Sequence, residues 1–236
     1  ILKDASSASI YGSRAANGVI LITTKAGAAG NAKVSLTAQF GLNKVADKVE
    51  SLNAAQYKEL QDEIGLVSLP DGLPDRTDWF DETYTTGKTQ NYQVAVSNGN
   101  EKMKSLISLN YFDQKGVVKT SGYKRYSFRY NLDHKITKWW DYGISATASY
   151  VVDQNATLGG GYDSTAGIIE SALSYSPTVK AERDPTTGKW IEDPKQALLN
   201  HPLSYLDIED ETKTKRFLAT AFTNFYFIKD VFWLKL

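Results

Sequence analysis

The sequence contains no cysteine, which closes off both a disulfide frame and a thiolate metal site. Histidine is nearly as scarce. His134 sits in a short turn and His201 precedes Pro202, and nothing in the sequence places a nucleophile near either. The carboxylates Asp71, Asp75, Asp78, Asp81 and Glu82 lack EF-hand spacing, so they read as a solvated acidic loop and no metal or cofactor is expected. Acids are plentiful enough to leave a glycosidase pair open, though no spacing marks one, and the reading is a non-enzyme. Net charge is missing too. With 27 basic against 27 acidic residues, no excess of positive charge advertises nucleic acid or an anionic lipid face. No apolar run approaches the ~20 residues of a membrane helix, which argues against helical spans only, because barrel strands carry a weaker signal. What is abundant is tyrosine, 14 residues, with 5 tryptophans, a supply suited to interfacial girdles and equally to extracellular β-proteins.

The first thirty residues differ from the rest, being small, rich in Ala, Ser and Gly, and nearly free of aromatics. Asp4 can cap a short helix through about Tyr11, and Gly12 can end it. Asn17-Gly18 is a turn signal, and the run from Val19 to Thr24 reads as a strand buried on both faces. From Lys33 the period changes to two. Val34, Leu36, Ala38, Phe40 and Leu42 alternate with polar or small residues, and the pattern is clearest in Tyr126, Phe128, Tyr130 and Leu132 against Arg125, Ser127, Arg129, Asn131 and Asp133. Similar runs begin near Tyr92, Met103 and Tyr142, with blurred ones at 214–227 and 231–236, so seven strands are predicted.

Alternation alone also fits an antiparallel soluble sandwich, including a carbohydrate-binding one. Strand length separates the two: ten or eleven residues at ~3.4 Å rise and ~40° tilt span ~25 Å, the height of a barrel's apolar band. Link lengths sort as well. Those at 44–89 and 153–213 are long, while 97–100 and 228–230 suit tight turns, the asymmetry of outer-membrane barrels with long outer loops. Helices are predicted inside the long links at Asn53 to Ile64, ended by Gly65, and at Ser164 to Tyr175. The fold class expected is therefore an all-β membrane barrel of about seven antiparallel strands with long outer loops. A start at Ile1 and a stop at Leu236, in mid-pattern, predict an internal segment of a longer chain.

Several stretches carry a family resemblance. Asp4 to Lys25, with Tyr11-Gly12-Ser13-Arg14 and Asn17-Gly18 inside it, resembles the end of the plug domain in SusC/RagA-type TonB-dependent transporters. Asp78-Trp79-Phe80-Asp81-Glu82, Thr86-Gly87-Lys88-Thr89-Gln90-Asn91-Tyr92, Tyr111-Phe112-Asp113-Gln114-Lys115-Gly116 and Tyr123-Lys124-Arg125-Tyr126-Ser127-Phe128-Arg129 look like the opening barrel of that family. The resemblance implies residues 1–30 as the C-terminal end of an α+β plug and 31–236 as the first part of a transmembrane barrel of roughly 22 strands. It implies TonB-driven import of glycans, oligosaccharides or peptides across the bacterial outer membrane, with a SusD-type surface lipoprotein and with TonB, ExbB and ExbD as partners. A passive porin-like or adhesive barrel is the alternative, disfavoured by the small-residue segment ahead of the first strand.

Tyr11, Gly12, Ser13, Arg14, Asn17 and Gly18 read mainly as a structural motif, the glycines permitting turns and Arg14 pairing with a carboxylate between plug and wall. The phosphate-loop spacing GxxxxGK[ST] is absent. Trp79, Phe80, Tyr162 and Trp190 in the outer links are candidates for stacking on sugar rings or on a lipoprotein lid, and equally for anchoring the loops to one another. The row Arg125 to Asp133 reads as lumen lining, and Tyr126, Phe128 and Tyr130 as wall facing lipid, where Phe128→Arg at midplane would cost ~2–4 kcal/mol. Trp139-Trp140, beside a short turn, suits an aromatic girdle.

Overall fold

A computed structural model of the chain describes residues 9–12, 15, 17–21, 27, 30–65, 77–157, 167–193, 196, 198–228 and 232–236. Seven strands form a single sheet in sequence order, every neighbour antiparallel: β1 (Gly30–Asn43), β2 (Gly87–Gly99), β3 (Met103–Lys115), β4 (Gly122–Lys135), β5 (Trp140–Gln154), β6 (Glu211–Ile228) and β7 (Phe232–Lys235). Register follows the alternation. Tyr126 pairs with Tyr111 and with Tyr150, while Arg129 pairs with Ser108 and with Thr147, so like meets like across the middle of β3, β4 and β5.

The faces differ in chemistry, yet neither is covered. Among the described residues, every buried apolar side chain lies off the strands, at Ala15, Ala54, Trp79, Phe80, Val118, Ile168, Ala172, Tyr175, Leu203 and Tyr205. On the strands Leu36 is 73 % exposed, Phe40 72 % and Phe217 74 %. A soluble sandwich would bury that face against a second sheet; leaving it bare in water is a cost that only a lipid environment removes. The sheet is a stretch of barrel wall.

Two aromatic belts cross the apolar face. Phe40 meets Tyr92 edge-on at 5.5 Å, and Tyr92, Tyr111, Tyr126 and Tyr150 continue as a ring-to-ring row. Ten positions further down β5, Trp140 stacks on Phe225 at 6.0 Å, with Trp139 against both. From Trp140 to Tyr150 the strand climbs ~26 Å at ~3.4 Å per residue and ~40° of tilt, matching the ~25 Å apolar band between barrel girdles.

The strands run beyond the lengths read from alternation. β6 starts at Glu211, not 214, and β2 at Gly87, because ladder hydrogen bonds continue above the tyrosine belt where outward residues turn polar. The long and short links alternate as expected, with 44–86 and 155–210 the long pair. α1 (Ala54–Ile64) is the predicted helix, closed by an Asn53–Gln56 capping box and a left-handed Gly65. The second predicted helix is shorter among the described residues: α3 (Ile168–Ser174) starts after an extended Gly167, and Ser164 lies outside them. Two elements were not anticipated, α2 (Trp79–Thr83) and a 3-10 helix at Pro202–Asp207. The strand expected from Val19 to Thr24 is corrected where it can be read: Val19 makes an isolated bridge, Ile20 and Leu21 belong to no strand, and residues 22–24 lie outside the described set.

Candidate functional site

The three links at one end of the sheet pack into one cap. Asp78 Oδ1 accepts from the Phe80 and Asp81 amides at 3.0 and 3.2 Å, starting α2 and turning Trp79 and Phe80 to the same interior. Trp79 Nε1 donates to the Ser176 carbonyl at 3.1 Å, and Thr77 bonds Pro177 and Val179 through its amide and hydroxyl, so the 44–86 link is fastened to the 155–210 link. The 116–121 link joins through Thr85 N–H to the Val117 carbonyl and Lys119 N–H to the Thr83 carbonyl. Lys48 pairs with Asp81 at the surface. Trp79, Phe80, Ala172, Tyr175 and Leu203 form the main core, with Val118, Ile168 and Tyr205 beside it.

His201 stands at the centre of this core, fully buried. Trp79 and Tyr175 meet its ring edge-on at 5.0 and 5.3 Å, and Trp190 stacks on it at 5.1 Å. Its Nδ1 accepts from the Leu203 amide at 3.2 Å, which starts the 3-10 helix and assigns the proton to Nε2. Burial depresses its pKa to about 4, the Lys180 carbonyl pulls the other way, and the Arg183 charge adds to the fall. Nε2 is buried without a well-formed hydrogen bond among the described residues. A neutral ring wedged among aromatics is a packing device, not a general base.

Beside it Arg183 and Trp190 pair as an antiparallel bridge around a turn at Gly188, whose φ is 70°. The Arg183 guanidinium donates to both Asp207 oxygens at 2.6 and 2.7 Å and lies 4.2 Å over the Trp190 ring, and Trp190 Nε1 donates to the same carboxylate at 2.9 Å. Arg183 and Trp190 together hold Asp207 below the usual carboxylate range.

The structure thus separates the sequence-predicted cap residues. Trp79 and Phe80 are 3 % exposed and hold the links together, which leaves no ring face for a sugar. Trp190 is half-buried, its ring taken up by His201 and Arg183. Tyr162 lies outside the described residues, as do Ser13, Arg14, Asp71 and Asp75. Tyr11 is exposed on a 3-10 turn, Gly12 and Gly18 take positive φ of 73° and 94°, and Gly18 N–H bonds the Ala15 carbonyl. His201, Tyr175, Tyr205 and the Arg183–Asp207 pair were missed. The available signals were Asp78 ahead of Asp81-Glu82, an N-cap followed by acidic first-turn residues, and a proline just after His201, where helices begin.

The polar side of the sheet lines a hollow of 870 Å³ that includes Lys33, Thr37, Gln93, Ser108, Arg125 and Arg129. Side chains bridge four strands there. Asn91 donates to Gln39 at 2.9 Å, Asn110 to Asn91 at 2.7 Å, and Arg125 to Asn110 at 3.4 Å. Among the described residues no carboxylate pairs with Arg125 or Arg129, so this wall carries positive charge toward whatever fills it. Groups of three metal-binding side chains are absent from the described residues.

No family model matches the chain. TonB-dependent receptor P3 of Formosa agariphila is 39 % identical over 186 residues, covering 75 % of this chain and 18 % of the receptor. Receptor P26 of the same organism is 30 % identical over 237 residues, covering 95 % of this chain and 23 % of its own. TonB-dependent receptor SusC of Bacteroides thetaiotaomicron is 33 % identical over 203 residues, with 80 % and 19 % covered. The chain belongs to the SusC/RagA family of TonB-dependent receptors. It spans about a fifth of the length of these curated relatives. The RagAB peptide importer shares the fold in its open-open state, with TM-score 0.81 and 21 % identity over 97 % of this chain and 30 % of that one. Its closed-closed state gives TM-score 0.80 at 20 % identity, over 96 % and 30 %. The bare apolar face of this SusC/RagA-type sheet is accordingly the lipid-facing wall of an outer-membrane β-barrel.

Proposed function

We propose that this segment supplies wall, outer cap and part of the plug junction of a TonB-dependent importer of oligosaccharides or peptides, and that it carries out no catalysis. The observation that carries this reading is the cap. Three links from one end of the wall share one core, giving a rigid platform beside the barrel mouth that suits a SusD-type lipoprotein lid and a captured oligomer. TonB, with ExbB and ExbD, would supply the pull through a segment outside this chain. Trp79 and Phe80 act by shaping the platform and Trp190 by bracing it between His201 and Arg183, which leaves Tyr162 as the candidate for contact with lid or cargo.

Residues 1–30 fit the end of the plug. Gly27 comes so close to Ser105 of β3 that a Cβ there would lie 2.5 Å from its amide nitrogen. Ser105 belongs to the outward set, so the approach open to Gly27 is from the inner side of the wall. A chain reaching β1 from inside the wall is what a plug requires and what a simple porin does not. Arg14 is proposed to help lock that plug, and an Arg14→Ala receptor is expected to release it more readily.

The test follows uptake of fluorescent oligosaccharides and peptides by cells carrying the complete receptor, before and after collapse of the proton-motive force. Energised import is expected to stop on collapse. Continued entry would favour a passive barrel instead. Topology is checked by thiol labelling of intact cells with single cysteines at Lys58 and Lys189 in the long links and at Asn100 and Lys135 at the other end. Only the first pair is expected to react.

A further inference from the structure

The balanced charge of the whole chain conceals a segregated one. On the outward face, the positions above the tyrosine belt hold Lys88, Lys115, Lys124 and Lys213 against Asp113 and Glu211, and Lys215 stands in the belt itself. Register places them closely. Lys88 pairs directly with Lys115, and Lys124 and Lys213 flank Val152 from either side. Lys215 continues the tyrosine row and sits 5.9 Å over the Tyr150 ring. Glu211 holds Lys213 and Asp113 stands directly across from Lys124 in the register, while Lys215 forms no salt bridge among the described residues. Lysines that merely snorkel toward water would rim both ends of a wall. The matching outward row at the other end reads Met103, His134, Tyr142 and Thr223 and holds no lysine.

Directly below the cationic row the wall is hollowed. A groove of 690 Å³ runs between Tyr111, Tyr126, Phe128, Tyr150 and Phe217, its floor lowered by the small side chain of Ala148 and its upper end reached by Lys215. Cations above an apolar groove match a ligand with an anionic head and hydrocarbon tails. With the long links outside the cell, the topology proposed above, this site lies in the outer leaflet.

The geometry points to a site on the wall of β3 to β6 for a phosphorylated glycolipid of the outer leaflet, one acyl chain in the aromatic groove and a phosphate among Lys124, Lys213 and Lys215. Ammonium groups on long stems bind phosphate as point charges and adjust to its position. Such a lipid would fix the height of the wall in the membrane and bear on β6, whose upper end leads into the cap. The site stands whether or not the barrel imports peptides or glycans.

The test uses the complete receptor in mild detergent, with retention of a bis-phosphorylated, acylated glucosamine disaccharide read by native mass spectrometry. The unsubstituted receptor is expected to retain this lipid at least about tenfold better than its dephosphorylated form. At about fivefold per lysine, Lys124→Gln and Lys215→Gln each weaken retention about fivefold, and the triple variant with Lys213→Gln weakens it on the order of a hundredfold. Lys189→Gln in the cap is expected to change nothing, and Ala148→Trp, which fills the groove, to release the lipid with all lysines intact. Undiminished retention by both single lysine variants would overturn the proposal. So would equal retention of the dephosphorylated lipid, or displacement by millimolar inorganic phosphate, which would mark a simple ion site.

Discussion

An arginine carried up the outward positions of β5 would measure the depth of each row. Ala146, Ala148 and Val152 all face outward on this strand. Two residues correspond to ~5 Å of height at ~3.4 Å rise and ~40° tilt, so Ala146 lies ~10 Å below the tyrosine belt and within ~3 Å of the midplane of the apolar band. Ala148 lies ~5 Å below that belt and Val152 ~5 Å above it. Lipid-facing arginine costs ~2–4 kcal/mol at midplane and ~0–1 near the interfaces. The expected series is therefore about 3 kcal/mol for Ala146→Arg, about 1–2 for Ala148→Arg and near zero for Val152→Arg. Phe128 pairs with Ala148 and shares its depth. That moves Phe128→Arg away from the midplane where alternation alone had set it, and lowers its expected cost to the same 1–2 kcal/mol range.

The control is Ala95→Arg, inward on β2 between Ser35 and Ser108, where the new charge meets hydroxyls and lumen water. It is expected to be nearly neutral. Folding of the complete receptor into lipid vesicles, followed by urea titration of its heat-stable mobility shift, reads each difference. A flat profile along β5 would refute the placement of the girdles. A penalty for Ala95→Arg as large as that for Ala146→Arg would refute the assignment of faces.

Trp79→Ala should open the cap core at a cost of about 3–5 kcal/mol, read as protease sensitivity in residues 44–86 and 155–210 while the barrel's mobility shift is unchanged. Acid should loosen the same cap. His201 is held near 4, below its ordinary 6.5, so its contribution is complete above pH 6.5 and is lost as pH falls toward 4, by up to about 3 kcal/mol. Tryptophan fluorescence against pH should show that transition, and His201→Phe should remove its pH dependence. Gly143→Val should destabilise the wall by about 1–3 kcal/mol, because a side chain there meets the Phe222 ring and Asp133 Oδ1 at 2.8 Å. Unchanged urea stability of that variant would show that the ring swings aside freely.

The wall was legible because a barrel strand records its environment residue by residue. Tyr126 and Arg129 announce opposite faces without knowledge of any partner, and the pairing of Tyr111, Tyr126 and Tyr150 needs no more than strand order. Strand ends were not legible. Lys88, Lys124 and Lys213 break the apolar alternation but not the hydrogen-bond ladder, so β2, β4 and β6 run on into a zone that reads as loop. The cap was hidden for a different reason. Trp79 and His201 are far apart in sequence, and only the fold shows that one packs on the other, so aromatics that look like exposed ligand platforms turn out to be a core.

Where the core sits has a mechanical consequence. The strands are held by ladders and by lipid, with no buried apolar contact of their own among the described residues, whereas the cap is held by packing around Trp79 and His201. Packing is cooperative in a way that ladders of exposed strands are not, since loss of one core side chain leaves a cavity felt by every neighbour. Thr77 to Val179, Trp79 to Ser176 and Lys119 to Thr83 tie links that enter and leave through β1, β2, β3, β4, β5 and β6. A force applied to any one of those links is therefore shared by all three before any of them opens. The cap should respond to a lid or a cargo as one body, and a cap loosened at Trp79 should let the links answer separately.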